Sequence, residues 1–243
     1  MIVLIITAVR IKSMDSHRIS GRILAENIAG PGMLRLVEQS MQARARKTSV
    51  TEIAVKERKY PQAALTFDDG PDIRYTPLLL DGLKERNVRV SFFLLGEKVE
   101  QYPELVERMQ KEGHLVGNHT YHHVQLDKLN ETKAREEILK TNNLIYETTG
   151  VYPLYLRPPF GAWKKNLELC VEMLPVFWTI DTLDWKVQNT EKIVRTVQEQ
   201  IEDGAIILMH DEYDTSVEAA LQVVDELKNQ GYELVTVDQL ILP

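Results

Sequence analysis

The stretch Ala63-Ala64-Leu65-Thr66-Phe67, followed by Asp68-Asp69-Gly70-Pro71, decides how the chain is read. Four apolar side chains around one hydroxyl make a short continuous apolar run. Its length suits a strand buried on both faces rather than a helix. Two acids and Gly-Pro then end the run, as a turn does.

Working outward, the same alternation repeats along the chain. Thr76 to Asn87 reads as a helix with Leu79, Leu80 and Leu83 on one face, and Val90 to Leu95 as a second strand. Pro103 to Glu112 is a helix ended by Gly113, and His114 to Asn118 a third strand. Asn130 to Thr149 is a long amphipathic helix closed by Gly150. Tyr155 to Arg157, Val176 to Ile180, Ala205 to Met209 and Glu233 to Val237 are further strand candidates. Helices over Thr190 to Glu202 and Ser216 to Gln230 separate the last three. About seven strand–helix alternations imply an α/β domain, a parallel sheet covered by helices that is either barrel-like or doubly wound. Both architectures collect ligand sites at the C-terminal ends of strands. The polar clusters Asp68-Asp69, His119, Arg157, Asp181 with Asp184, and His210 all fall at such ends.

The chain has 243 residues, 44% hydrophobic and 27% charged, the composition of an ordinary globular protein. Its net charge of -7 argues against a nucleic-acid groove. The charge is uneven. Residues 1–60 hold eleven Lys and Arg against five Asp and Glu, and residues 61–243 hold eighteen against thirty-one. This break predicts a boundary near Tyr60-Pro61, with a basic N-terminal extension over 1–60 and a second domain over 61–243. Cys170 is the only cysteine, so no intrachain disulfide and no cysteine-rich metal site is expected. Ile2 to Val9 is apolar but stops at Arg10 and Lys12, too short to span a bilayer. It reads either as an element packed on the domain or as the remnant of an export signal or anchor. No later segment is apolar enough to cross a membrane.

Each polar cluster has a plain reading and a chemical one. Asp68 and Asp69 suit a turn, yet adjacent side chains diverge, so one can bind a metal while the other faces a substrate. His119 and His123 are spaced to reach one ion if the segment is helical or tightly turned, with His122 the rival at spacing three. Two imidazoles and one carboxylate leave a coordination position open, as catalytic ions require. Arg157-Pro158-Pro159-Phe160-Gly161 is a rigid turn whose Arg157 can orient a carboxylate. Trp185, beside Asp181 and Asp184, is a core aromatic or the apolar wall of a sugar cleft. His210, paired with Asp184 or Asp181, would serve as a general acid. No Gly-rich phosphate cradle is apparent, which weighs against phosphoryl transfer.

Taken together, these segments resemble the polysaccharide deacetylases, carbohydrate esterase family 4 with the NodB homology domain. Thr66-Phe67-Asp68-Asp69-Gly70, His119-Thr120-Tyr121-His122-His123, Arg157-Pro158-Pro159-Phe160, Asp181-Thr182-Leu183-Asp184-Trp185 and Leu208-Met209-His210 match its five motifs in order. The resemblance covers residues 61–243 and implies a distorted (β/α) barrel of about seven parallel strands with outer helices. It implies that Asp69, His119 and His123 hold a divalent ion, commonly zinc, with cobalt or nickel accepted by related enzymes. Asp68 would be the general base, steadied by Arg157, and His210 the general acid, oriented by Asp184. Trp185 and Leu208 would wall the acetyl pocket, and the Phe160 N–H would bind the developing oxyanion. The substrate implied is an N-acetylated polysaccharide, peptidoglycan or a chitin-like oligomer, in an extracytoplasmic or envelope-associated setting. The alternatives are an O-acetyl (xylan) esterase and a non-catalytic carbohydrate-binding relative.

Overall fold

Residues 59–163 and 173–241 are described in this computed structural model. Ile2 to Val9, nearly all of the basic extension, and Cys170 lie outside the described residues. The opening strand β1 (Gln62–Asp68) is buried along almost its whole length, as its unbroken apolar run requires. Three strands pair directly with it, all parallel: β2 (Ser91–Leu94), β7 (Ala205–His210) and β8 (Glu233–Leu234). Outward from β2 run β3 (Leu115–Asn118), β4 (Tyr155–Leu156) and β5 (Leu174–Pro175), and beyond β7 lies β6 (Ile180–Asp181). The path β5-β4-β3-β2-β1-β7-β6 carries seven parallel strands in a curled half-barrel, with β8 attached at the start of β1.

The helices cover the outside. α1 (Tyr75–Glu85) turns Leu79, Leu80 and Leu83 into the core. The short α2 (Gly96–Gln101) leads into α3 (Pro103–Lys111), whose proline sits in the first turn, where its missing N–H costs nothing. α4 (Glu131–Thr149) starts where Asn130 Oδ1 accepts from Lys133 N and ends at Gly150, φ 72°. The single-turn α5 (Asp184–Val187) precedes α6 (Thr190–Gln200), capped by Asn189. α7 (Asp214–Asn229) and α8 (Val237–Ile241) complete the shell. Between helices and sheet, Phe67 and Phe92 stack at 5.4 Å among Leu65, Val90, Ile207, Met209 and Val223. Each such side chain, fully buried, contributes roughly 1.5–3 kcal/mol of transfer free energy.

Two expected elements differ. The strand expected over Val176 to Ile180 is replaced by β5 before it and β6 at its end. These two strands sit at opposite edges of the sheet: β5 pairs with β4, and β6 with β7. The carbonyls of Val176 and Phe177 face the Arg157 guanidinium rather than a ladder partner. The intervening chain therefore bridges the open side of the half-barrel. From Pro175 to Ile180 it spans at most about 18 Å, which sets how closely the two edges approach. The strand expected over Glu233 to Val237 ends at Leu234, and Val237 instead begins α8, with Gln239 N donating to Thr236 O. The six-residue α2 is too short for its periodicity to be read from the sequence.

Candidate metal centre and catalytic cleft

Because all the strands run parallel, their C-terminal ends share one rim, and the polar clusters gather there. Asp68 closes β1 and lies opposite His210, which closes β7. Asp69 follows with φ 70°, a left-handed turn that points its side chain away from that of Asp68. The turn is packed tightly: a Cβ on Gly70 would collide with the Asp211 carboxylate.

Asp69 Oδ1 lies 3.4 Å from His119 Nε2 and 3.5 Å from His123 Nε2. One ligand atom from each of the three residues falls within 4.8 Å of the others. Tetrahedral zinc with bonds near 2.0–2.1 Å places its ligand atoms about 3.4 Å apart, so the spacing fits a metal. Asp69 Oδ1 is also buried without a hydrogen-bond partner, as an oxygen reserved for a cation would be. The His119 Nδ1–H donates to the Arg157 carbonyl at 2.6 Å, which leaves Nε2 with its lone pair facing the cluster. Burial pushes the His119 ring down to about 3, with the nearby Asp69 charge pulling the other way, so the ring is neutral at ordinary pH and able to ligate. The segment that presents both histidines is a tight turn rather than a helix, with Thr120 at φ 67° and His123 at φ 55°. His122 is turned out of the cluster, half-exposed and bonded through Nδ1 to Glu137. His123, and not His122, therefore joins Asp69 and His119 in the cluster.

Asp68 is buried and does not share the role of Asp69. Its Oδ1 accepts from Arg157 Nη1 at 2.7 Å. Arg157 is the largest fully buried side chain among the described residues; it also donates to Thr66 Oγ1 and stacks 4.2 Å from the Phe93 ring. The plain reading of Arg157 as a surface residue is thus excluded. Burial lifts the Asp68 carboxyl above the usual carboxylate range, and the Arg157 charge only partly offsets it. On the other side of the cluster, His210 Nδ1 lies 2.7 Å from Asp184 Oδ1, and the His210 backbone N–H donates to Asp184 Oδ2. Asp184, fully buried, is the partner; Asp181 instead accepts from Leu183 N in its own turn. Burial opposes the charged form of His210, but the Asp184 hydrogen bond and charge, aided by Asp68 and Asp69, push it up to about 9.

These groups line a cleft of about 480 Å³. Phe160 (φ 60°) is 67% exposed at its rim and meets the His123 ring edge-on at 4.6 Å. Trp185 is half-exposed, and Leu208 forms the buried floor. The structure adds lining residues that the sequence reading did not single out: Trp178, Leu183, Glu212 and Tyr213. Trp178 and Tyr213 each lie three residues from an assigned polar group, and that proximity was the only signal available. Asp211 was also passed over. It is fully buried, accepts from Thr76 Oγ1, and is lifted by burial to about 7; its hydrogen bond ties the end of β7 to the first turn of α1.

The polysaccharide deacetylase family model matches residues 56–177. The peptidoglycan-N-acetylglucosamine deacetylase PgdA of Listeria monocytogenes is 42% identical over 185 residues, 76% of this chain and 40% of that protein. A peptidoglycan-N-acetylglucosamine deacetylase of Bacillus cereus is 40% identical over 74% of this chain and 68% of its own length. The chain thus spans less than half of the Listeria relative. Among solved structures, peptidoglycan deacetylase PdaC from Bacillus subtilis superposes with a TM-score of 0.73 at 42% identity, covering 75% of this chain and 91% of that one. Sequence, fold and the order of the strand-end motifs agree, and the chain belongs to the polysaccharide deacetylase family.

Proposed function

We propose that this protein is a metal-dependent hydrolase that removes N-acetyl groups from peptidoglycan. One observation carries the reading. A compact Asp69–His119–His123 cluster is flanked on one side by a carboxylate held by arginine, and on the other by a histidine held by aspartate. The names of the relatives supply the polymer.

Asp69, His119 and His123 would hold the ion; zinc suits two imidazoles and one carboxylate, and cobalt or nickel suits the same donors. A divalent ion bound there supplies Lewis acidity, making water a stronger acid and polarising a carbonyl oxygen. The remaining work falls to the chain's own groups. Asp68 accepts the proton of the attacking water, and its lifted pKa makes it a better base than a solvated carboxylate. Arg157 fixes which Asp68 oxygen is free by occupying the other. His210, charged at neutral pH, gives its proton to the departing sugar nitrogen, and Asp184 holds the ring through Nδ1 so that Nε2 faces the cleft. The Phe160 N–H donates to the carbonyl oxygen as negative charge builds there. Trp185 and Leu208 wall the acetyl methyl, and exposed Phe160 and Trp185 offer faces for sugar rings.

Peptidoglycan lies outside the cytoplasmic membrane, so this reading places the domain there, with residues 1–60 as a separate basic extension. No helix among the described residues is long and apolar enough to cross a membrane. Detection of the protein only in the cytosolic fraction of its own cells would refute the placement. The test of the activity is acetate release from peptidoglycan, chitin oligomers and acetylxylan, with and without chelator. We expect release from peptidoglycan that chelation abolishes and zinc or cobalt restores. Chelator-resistant turnover by metal-free protein would sink the mechanism, and turnover of acetylxylan alone would favour the O-acetyl esterase reading.

A further inference from the structure

The turn that carries both histidines is held in an unfavourable shape. Thr120 and His123 are non-glycine residues in the left-handed region, and Thr is β-branched, which makes its φ of 67° costly. Something outside the turn must over-determine it. Part of the answer lies within the motif: Thr120 N donates to Asn118 Oδ1, and Thr120 Oγ1 accepts from Val124 N. Two carbonyls of the turn accept from the start of α2, Thr120 O from Gly96 N and Tyr121 O from Glu97 N.

The donors at the centre of the turn go elsewhere. Tyr121 N and His122 N both donate to Glu137 Oε2, at 3.0 and 2.9 Å, and His122 Nδ1 lies 2.8 Å from Glu137 Oε1. One carboxylate, itself only 16% exposed, therefore takes two consecutive backbone N–H groups and a ring nitrogen, all charge-assisted. Glu137 stands on the second turn of α4, which is itself fixed to the end of β3. Asn118 Nδ2 donates to Ile138 O and to Asn142 Oδ1, at 2.9 and 2.6 Å.

We infer that Glu137 is a positioning residue for the metal centre: its carboxylate clamps residues 121 and 122, and so aims the flanking His119 and His123 at one point. It touches neither ion nor substrate and acts through the turn. The inference rests on the reading that Asp69, His119 and His123 hold a divalent ion.

The experiment is Zn2+ binding by the full chain, measured as Kd in competition with a chromophoric chelator, alongside thermal unfolding of the chelator-stripped proteins. Glu137→Ala should bind Zn2+ about 10–100-fold more weakly than wild type, as loss of an outer-shell partner typically does. Glu137→Gln keeps one oxygen for both backbone N–H groups and should recover most of that loss. Should the alanine variant not fold, Glu137→Asp, one methylene too short, should still weaken binding several-fold, by about fivefold or more. A Zn2+ Kd unchanged in Glu137→Ala or Glu137→Asp, with only the stripped protein's melting point lowered, overturns the inference. In that outcome wild type still binds the ion, which leaves the metal reading standing. A wild type that fails to bind Zn2+ removes the metal reading and this inference with it.

Discussion

Replacing Asp184 by asparagine separates the charge of this group from its shape. The amide oxygen of the variant side chain can still accept the His210 backbone N–H, which the native Oδ2 takes at 2.8 Å. What disappears is the negative charge 2.7 Å from His210 Nδ1. That charge, with its hydrogen bond, is the main force holding His210 up near 9 against burial. Without it, burial leaves the ring at or below its ordinary value of about 6.5. The displacement is about 2.5 units between those two values. At pH 8 the protonated fraction then falls from about 0.9 to about 0.03, roughly a 30-fold loss of the form that can serve as acid. A bound dication lowers both values, so the diagnostic quantity is the gap between the alkaline limbs of the two proteins. The assay is kcat/KM against pH on metal-replete enzyme with an N-acetylated oligosaccharide. The variant's alkaline limb should lie at least about two units lower than that of wild type. The same shift bears on stability. A folded-state value raised from 6.5 to about 9 stabilises the chelated protein fully below pH 6.5, and the contribution is lost as pH rises through 9. Its size is on the order of 3 kcal/mol, and the variant should lack that window. Coincident alkaline limbs for wild type and Asp184→Asn would refute the assignment of His210 as an acid tuned by Asp184.

Asp68→Asn and His210→Ala should each lower turnover roughly 10²–10⁴-fold with the metal retained, but they should differ in substrate dependence. An amine leaves only when protonated whereas an aryl oxide does not need it, so the aryl acetate to amide activity ratio should rise for His210→Ala alone. An equal rise in both variants would overturn the division of labour. Arg157→Met removes one partner of a fully buried ion pair and should cost about 3–5 kcal/mol in urea unfolding; a loss below ~1 kcal/mol would show that Asp68 is solvated. Removing residues up to about Thr51 should leave kcat near wild type, since the proposed groups all lie from Asp68 onward; a folded but inactive truncation would place that segment in the substrate groove.

The legible part of this site was what each strand announces at its own end. Asp68, His119, Arg157, Asp184 and His210 each follow an apolar run, and a parallel sheet brings such ends to one rim whatever the helices between them do. Spacing alone left His122 and His123 open, because the choice depends on two left-handed residues that no spacing rule expresses; only the resemblance to the family motif pointed to His123. Glu137 was hidden more deeply. It lies mid-helix among charged neighbours, where an acid normally faces water, and only the docking of α4 reveals its partners. The bridge from β5 to β6 reads as one strand because its composition is right for a strand. The difference comes from the sheet's curl, which sends the two ends of that segment to opposite edges and leaves its middle without a ladder.

The central place of β1 in the sheet has a consequence for the order of assembly. Its partners arrive at very different times: β2 within about thirty residues of synthesis, β7 only after some 140, and β8 at the far end of the chain. Asp68 and His210 become neighbours through the pairing of β1 with β7, a contact that closes a very long loop and is entropically late. A chain interrupted between His123 and Ala205 holds the residues of the β1–β2–β3 layer and of the Asp69–His119–His123 cluster, but it lacks His210. On the proposed mechanism the group that protonates the leaving nitrogen is thus delivered late in folding, and a polypeptide stopped short of β7 would be without it.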